Sequence, residues 1–399
     1  MILCLFLNIY DELSTNLYNE GVSEVQYRIY GKTGDRVSVL GFGAMRLPMI
    51  ENHVDMDLSI AIIRRSFDLG VNYVDSAVGY CNGESQIAVG KAVKGYRDKV
   101  FVSTKNHDKG TSGDEWQKLL DQSLERLEVD YIDFYHSHGL GWEEYTNMQG
   151  PGGPMERFRK AKEEGLIRHM CYSCHDSPEN MMKLIDTGEF EGMLVQYNLL
   201  DRRNEEAIAY AHEKGMGVAI MGPIGGGRLV SPSEKLQGMV RDGAKSTPEV
   251  ALRFVISNPN VTVALSGMND MAMVEENIAT ASREEPMSDE ERKQVLEILE
   301  ESKRLADLYC TGCGYCMPCP SDVDIPRNFS AMNLYKVFGL KDLARDHYRR
   351  LGKHKKSDGT IVEAWASACI ECEECEPKCP QKIHIIDQLK ETHAALGEK

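Results

Sequence analysis

From residue 28 onward, short apolar runs alternate with amphipathic stretches of helical length, and this constrains the fold more than any other feature of the chain. Candidate strands run at Val39 to Phe42, Val71 to Val74, Val100 to Thr104, Tyr131 to Tyr135, Arg168 to Tyr172, Met193 to Tyr197, Gly217 to Met221 and Val261 to Leu265. Between them, segments such as Asp57 to Leu69, Asp114 to Leu127, Asn204 to Lys214 and Pro248 to Ile256 repeat apolar residues at three and four, the spacing of one helix face. Eight such βα units predict an α/β fold of the TIM (β/α)8 barrel type. The segment Tyr27 to Leu40 turns at Gly31 to Gly34 and reads as a hairpin able to plug the bottom of the barrel. A doubly wound sheet is the alternative, and no dinucleotide fingerprint follows any of the strands to favour it.

The composition changes after the last unit. Glu290 to Leu308 reads as a helix leaving the barrel, followed by two cysteine knots that flank a helical stretch near Met332 to Leu351 and a polar linker around Lys353 to Gly359. The expected domains are a barrel over 25–290 and, over 291–399, a helical linker with a small α-helical 4Fe-4S ferredoxin-like domain. The second knot, Cys369-x2-Cys372-x2-Cys375-x3-Cys379-Pro380, has the bacterial-ferredoxin spacing for 4Fe-4S ligation, in which the fourth cysteine reaches the other cluster. The first knot, Cys310-x2-Cys313-x2-Cys316-x2-Cys319-Pro320, is one residue shorter before its last cysteine. By analogy Cys310, Cys313, Cys316 and Cys379 hold one cluster, and Cys369, Cys372, Cys375 and Cys319 the other. Structural zinc is the competing reading, but zinc sites draw their cysteines from two separated pairs. Cys171-x2-Cys174 spans a strand end, where alternation points the two thiols to different faces.

Length and charge narrow the function. The 399 residues suit a barrel plus a smaller domain, and a formal charge of −16 lacks the basic excess that nucleic acid requires. Ile2 to Leu7 is too short for a signal-peptide core, no Lys or Arg precedes Arg28, and no later stretch could span a membrane. Residues 1–24 are expected to be a poorly ordered extension. Twelve cysteines without a secretory signal suggest thiolate chemistry in a reducing, cytoplasmic compartment.

In a barrel of this type the chemistry sits at the C-terminal ends of the strands. Asp75, Tyr80, Lys105 and His138 fall there, in Val71-Asn-Tyr-Val-Asp-Ser-Ala-Val-Gly-Tyr80, Val102-Ser-Thr-Lys105 and Asp130-Tyr-Ile-Asp-Phe-Tyr-His-Ser-His138. These segments resemble the motifs that supply the Asp, Tyr, Lys and His tetrad of the aldo-keto reductases. With the appended knots, the chain is similar to the subgroup of that family with a C-terminal dicluster ferredoxin domain. Physically, an ammonium at Lys105 paired with Asp75 would help Tyr80 protonate a carbonyl oxygen, with His138 orienting that oxygen. His136, two positions earlier, shares the same strand face, but the motif favours His138.

The resemblance further implies that Ser173 and Gln196 hold a nicotinamide carboxamide, and that Ser266, Gly267, Asn269, Glu276 and Asn277 line the adenosine end. Gly267 and Met273 stand where NADP-specific members place Lys and Arg, which leaves the choice of NAD(H) or NADP(H) open. The expected function is reduction of a small carbonyl compound, or oxidation of an alcohol, with a nicotinamide in the barrel and two 4Fe-4S clusters for electron transfer. A ferredoxin or other electron carrier is the expected protein partner. Two alternatives remain: a flavin in the barrel mouth serving one-electron chemistry, or an electron-transfer subunit with a vestigial barrel site.

Overall fold

The computed structural model describes residues 25–107, 112–225, 229–230, 232–240, 243–305, 310, 314, 316–336, 338–355, 359–379 and 382–397. The expected extension at 1–24 and Cys313 lie outside these residues. The chain packs as two compact units: residues up to Gly226 with Ala251–Pro286, and Gly227–Val250 with Met287–Lys399.

The first unit opens with an antiparallel hairpin, β1 (Tyr27–Ile29) and β2 (Arg36–Ser38), followed by β3 (Leu40–Gly43) and a small hairpin of β4 (Met49–Ile50) and β5 (His53–Val54). Seven further strands follow: β6 (Tyr73–Asp75), β7 (Phe101–Asn106), β8 (Ile132–Ser137), β9 (Ile167–Cys174), β10 (Gly192–Gln196), β11 (Gly217–Met221) and β12 (Val263–Ser266). With β3 they close into a parallel barrel in the order β3-β6-β7-β8-β9-β10-β11-β12. Closure rules out the doubly wound alternative. Helices α1 (Met56–Asp68), α2 (Ser85–Val93), α3 (Gly113–Leu127), α4 (Trp142–Asn147), α5 (Pro154–Glu163), α6 (Pro178–Asp186) and α7 (Glu205–Glu213) stand in the strand connections. The observed strands fall on the eight apolar runs because a barrel strand is buried on both faces and so reads as a continuous apolar segment.

The lumen is filled from below by the first hairpin. Tyr30, at its turn, is fully buried with Tyr73, Phe134, Cys171, Leu194, Ala219, Val263 and Leu265, its ring 4.4 Å from that of Phe134. Glycines at the starts of β10 and β11 make the room, because a β-carbon at Gly192 or Gly217 would collide with the Tyr30 ring. Cys171 is part of this lumen, whereas Cys174, three residues on, falls on the opposite face of the strand, as alternation requires.

In the second unit α8 (Glu234–Gln237) begins beneath Ser233, whose hydroxyl donates to the Phe338 carbonyl at 2.6 Å. Along the chain come α9 (Thr247–Ile256), which runs on into the first unit, and α10 (Met271–Ala281), which belongs to it; α11 (Asp289–Leu305), α12 (Ile325–Lys336), α13 (Lys341–Leu351), a short pair β13 (His354–Lys355) and β14 (Ile361–Val362), and α14 (Ile385–Leu396) complete the second. The stretch from Met332 to Leu351, expected as one helix, is broken into two. Gly339 takes a left-handed φ of 66° at the break, where the Leu340 amide turns back to the Leu334 carbonyl. Buried Asn328 then fixes the approach to the second knot: its amide donates to the Asp324 and Ala364 carbonyls, and its oxygen accepts from the Ala366 amide at 2.9 Å.

Candidate active site and cysteine cavity

Neighbouring strands β6 and β7 bring Asp75 opposite Ser103 in register, with Lys105 one step further along the same face. The Lys105 ammonium donates to Asp75 Oδ1 at 2.5 Å and to the Ser76 carbonyl at 2.9 Å, and the Ser103 hydroxyl donates to Asp75 Oδ2 at 2.8 Å. Lys105 and Asp75 are almost wholly buried, with side chains 1% and 4% exposed. Burial alone would lower the Lys105 pKa, but the Asp75 carboxylate and the nearby Tyr80 hydroxyl overcome it, so the ammonium is held above its ordinary value. Sequence reading overlooked Ser103, although its position two residues before Lys105 signals the shared face.

Tyr80 opens a 3-10 turn, Tyr80–Gly83, in which Cys81 and Asn82 take left-handed φ angles of 50° and 57°. The turn is tied down by the Cys81 thiol, which donates to the Met45 carbonyl, and by Ser85, whose hydroxyl donates to the Ala44 carbonyl at 2.7 Å. This sets the Tyr80 ring 4.9 Å from the Lys105 nitrogen and edge-on to His138, ring centroids 6.2 Å apart. Burial raises the Tyr80 pKa, Lys105 pulls it down and Asp75 raises it, leaving the phenol above its ordinary value and therefore protonated at neutral pH. His107 stacks on His138, centroids 4.1 Å apart and planes within 14°. The four expected residues are thus in one place, and His107 joins them. His136 is instead fully buried, in register with Lys105 and Cys171, and is held neutral with its pKa lowered to about 3 by burial and by Lys105.

The residues assigned to the nicotinamide dinucleotide also collect at strand ends. Ser173 accepts from the Gly139 amide at 2.8 Å, and Gln196 ends β10 beside Gly222. Ser266 ends β12 and accepts from the buried Asn277 at 3.2 Å, which fastens the strand to α10. Gly267, Asn269 and Glu276 follow on the same segment, with Asn269 and Glu276 exposed.

In the second unit Cys316, Cys319, Cys369, Cys372 and Cys375 line a common cavity with Pro318, Ile325 and Leu389. This grouping brings Cys319 to three of the four cysteines of the second knot, as expected, and Cys316, expected on the other cluster, lines the same cavity, while Cys310 and Cys379 do not. Glu371 and Glu373 adopt left-handed φ angles of 59° and 61°, curling the chain around the thiols, and the Glu371 amide donates to Cys369 Sγ at 3.4 Å. Among the described residues no two cysteines are joined by a disulfide. Among the described residues no three His, Cys, Asp or Glu side chains converge as a single metal ion would require. Thiols spread round one cavity fit a wider group, and amide bonds to sulfur are among the features that tune an iron-sulfur cluster. Among the described residues, too, no helix is long and apolar enough to cross a membrane.

Comparison with known proteins agrees with both halves. Residues 39–300 match the model of the aldo/keto reductase family, and residues 309–384 match a 4Fe-4S dicluster domain. L-galactose dehydrogenase of Arabidopsis thaliana is 27% identical over 312 residues, covering 71% of this chain and 97% of its own. The holo structure of an aldo-keto reductase from Bacillus halodurans superposes with a TM-score of 0.60 at 26% identity, covering 69% of this chain and 96% of that one. An aldo/keto reductase from Klebsiella pneumoniae, solved in complex with NADP and acetate, shares the fold at 24% identity and a TM-score of 0.59, covering 70% and 95%. This chain is therefore an oxidoreductase of the aldo/keto reductase family that carries a 4Fe-4S dicluster domain behind its barrel.

Proposed function

We propose that the barrel interconverts a small carbonyl compound and its alcohol, with Tyr80 as proton donor, and that two 4Fe-4S clusters in the second unit exchange electrons with a ferredoxin or another one-electron carrier. The observation that carries the reading is the buried Asp75–Lys105 pair set against a protonated Tyr80. A nicotinamide, held by Ser173 and Gln196 with its adenosine end along Ser266, Gly267, Asn269, Glu276 and Asn277, supplies hydride when bound. Tyr80 gives its proton to the oxygen that gains charge as the carbonyl is reduced, and Lys105, kept charged by Asp75, stabilises the phenolate left behind. His138, its ring perpendicular to that of Tyr80 and stacked on His107, orients that oxygen. Ser103 holds the second Asp75 oxygen so that the first stays on Lys105. In the second unit Cys319, Cys369, Cys372 and Cys375 hold one cluster, and Cys310, Cys313, Cys316 and Cys379 the other; bound there, they supply one-electron transfer. Thiolate ligation on this scale suits a cytoplasmic setting.

Relatives differ in nucleotide: the Klebsiella structure holds NADP, and an Escherichia coli relative is an NADH-specific methylglyoxal reductase, 24% identical over 301 residues. The test is a cofactor inventory on protein purified without oxygen, together with nucleotide binding. Two cubanes require about eight irons and as many sulfides per chain, with no flavin and with saturable NAD(P)H binding. Stoichiometric flavin, or zinc in place of iron and sulfide, would sink the corresponding half of the proposal.

A further inference from the structure

At residues 267 and 273, where the resemblance implies Lys and Arg in NADP-specific relatives, this chain has Gly267 and Met273. The structure brings the root of an arginine side chain beside Gly267 from elsewhere. Arg46 is the last residue of the 3-10 turn Ala44–Arg46 that follows β3, and β3 is the barrel neighbour of β12. The two strand ends approach closely: a β-carbon built on Gly43 would lie 3.4 Å from the Ser266 carbonyl, and one built on Gly267 would lie 3.8 Å from the β-carbon of Arg46. The Arg46 side chain therefore starts in the space that a side chain at 267 would enter.

Its other flank is the chemistry. The carbonyls of Ala44 and Met45 hold Ser85 and Cys81, and so the turn that presents Tyr80. The turn that ends at Arg46 thus lies between Tyr80 and the segment that begins at Ser266, the two ends assigned to the dinucleotide. Arg46 is exposed and, among the described residues, is engaged in no hydrogen bond or ion pair, whereas Arg65 of α1 is held by Glu275 of α10 at 2.9 Å.

Resting on the nicotinamide reading above, we propose that Arg46 binds a phosphate of the dinucleotide and replaces the cations missing from residues 267 and 273. A planar, permanently charged fork suits a phosphate oxygen pair, and a neighbouring strand can supply it as well as the adenosine stretch itself.

Calorimetric titration of the intact cluster-loaded protein with NADPH and with NADH tests this in the wild type, Arg46→Gln and Arg46→Lys. Arg46→Gln should weaken binding roughly tenfold or more, the loss of one charge-assisted bidentate contact, and Arg46→Lys should recover part of it. Weakening confined to NADPH assigns the contact to the 2′-phosphate, and equal weakening of both nucleotides assigns it to the pyrophosphate. Unchanged affinity for both in Arg46→Gln overturns the proposal. A wild type that binds neither nucleotide overturns the nicotinamide reading and the Arg46 contact together, so the two failures are distinguishable. Thermal unfolding of each variant, matched to the wild type, separates lost contact from lost fold.

Discussion

The polar groups of the barrel site stand on strands or in turns tied down at the strand ends, and the strand-borne ones already satisfy one another: Lys105 spends its protons on Asp75 and Ser76, and Asp75 takes a second donor from Ser103. The described cysteines of the second unit stand outside every helix and strand, in loops that bend through left-handed residues, and Cys372 is exposed where Lys105 is 1% exposed. Strand register fixes the first site whether or not a substrate is present. The second is a ring of thiols round a cavity, and such sites draw part of their folding free energy from the group they bind. One chain thus carries a site made by its fold beside a site that helps make its fold.

The contrast breaks most visibly at Tyr80. Tyr80→Phe removes the proton donor and nothing that holds the barrel, so kcat/KM for carbonyl reduction should fall roughly 10²- to 10⁴-fold with iron content and unfolding temperature unchanged. Full turnover in this variant would mark the barrel site as vestigial. Asp75→Ala should lose comparable activity and also about 3 kcal/mol of stability, because it strands a buried ammonium. A variant that melts like the wild type would show that Lys105 discards its proton at little cost.

Much of this contrast was legible in the sequence, for reasons that differ by region. The barrel strands are buried on both faces and announce themselves as apolar runs, so the eight were found, and Asp75, Tyr80, Lys105 and His138 were placed at their ends. Cysteine spacing is equally explicit, because a ligand loop must repeat every third residue to wrap a cluster. What stayed hidden depends on neighbours in space. Ser103 and Arg46 acquire their meaning from Asp75 on β6 and Gly267 after β12, and the break at Gly339 from a single left-handed glycine within an amphipathic stretch. His107 is seen against His138 only once β7 and β8 are paired.

A middle-sized effect is expected in the second unit. Cys319→Ser and Cys375→Ser face the same cavity although 56 positions separate them in sequence. Each should therefore lower iron from about eight to about four per chain, and the double variant should lose no more than either alone. Barrel activity with a nicotinamide should persist in all three. Additive iron loss would show that Cys319 serves the other cluster, and loss of barrel folding would show that the fold-made site depends on the cluster-made one.

The smallest effect sharpens the comparison from inside the barrel. His136 is fully buried, and neither ring nitrogen makes a protein hydrogen bond of ordinary geometry. Burial first, and then Lys105, lower its pKa from 6.5 to about 3. Below pH 6.5 the unfolded chain takes up a proton here that the folded chain refuses, so this residue erodes stability as the pH falls from about 6.5 toward 3 and is neutral to stability above that window. His136→Leu removes the titration and keeps the volume. Its stability relative to the wild type should therefore rise by about 1.4 kcal/mol between pH 7.5 and pH 5.5, read as a widening gap in urea midpoint for the barrel transition. A gap that stays constant with pH would mean that His136 accepts a proton in the folded barrel. The lumen beside Lys105 would then tolerate a second positive charge, and the Asp75–Lys105 pair would not be the fixed electrostatic arrangement on which the contrast with the cysteine loops depends.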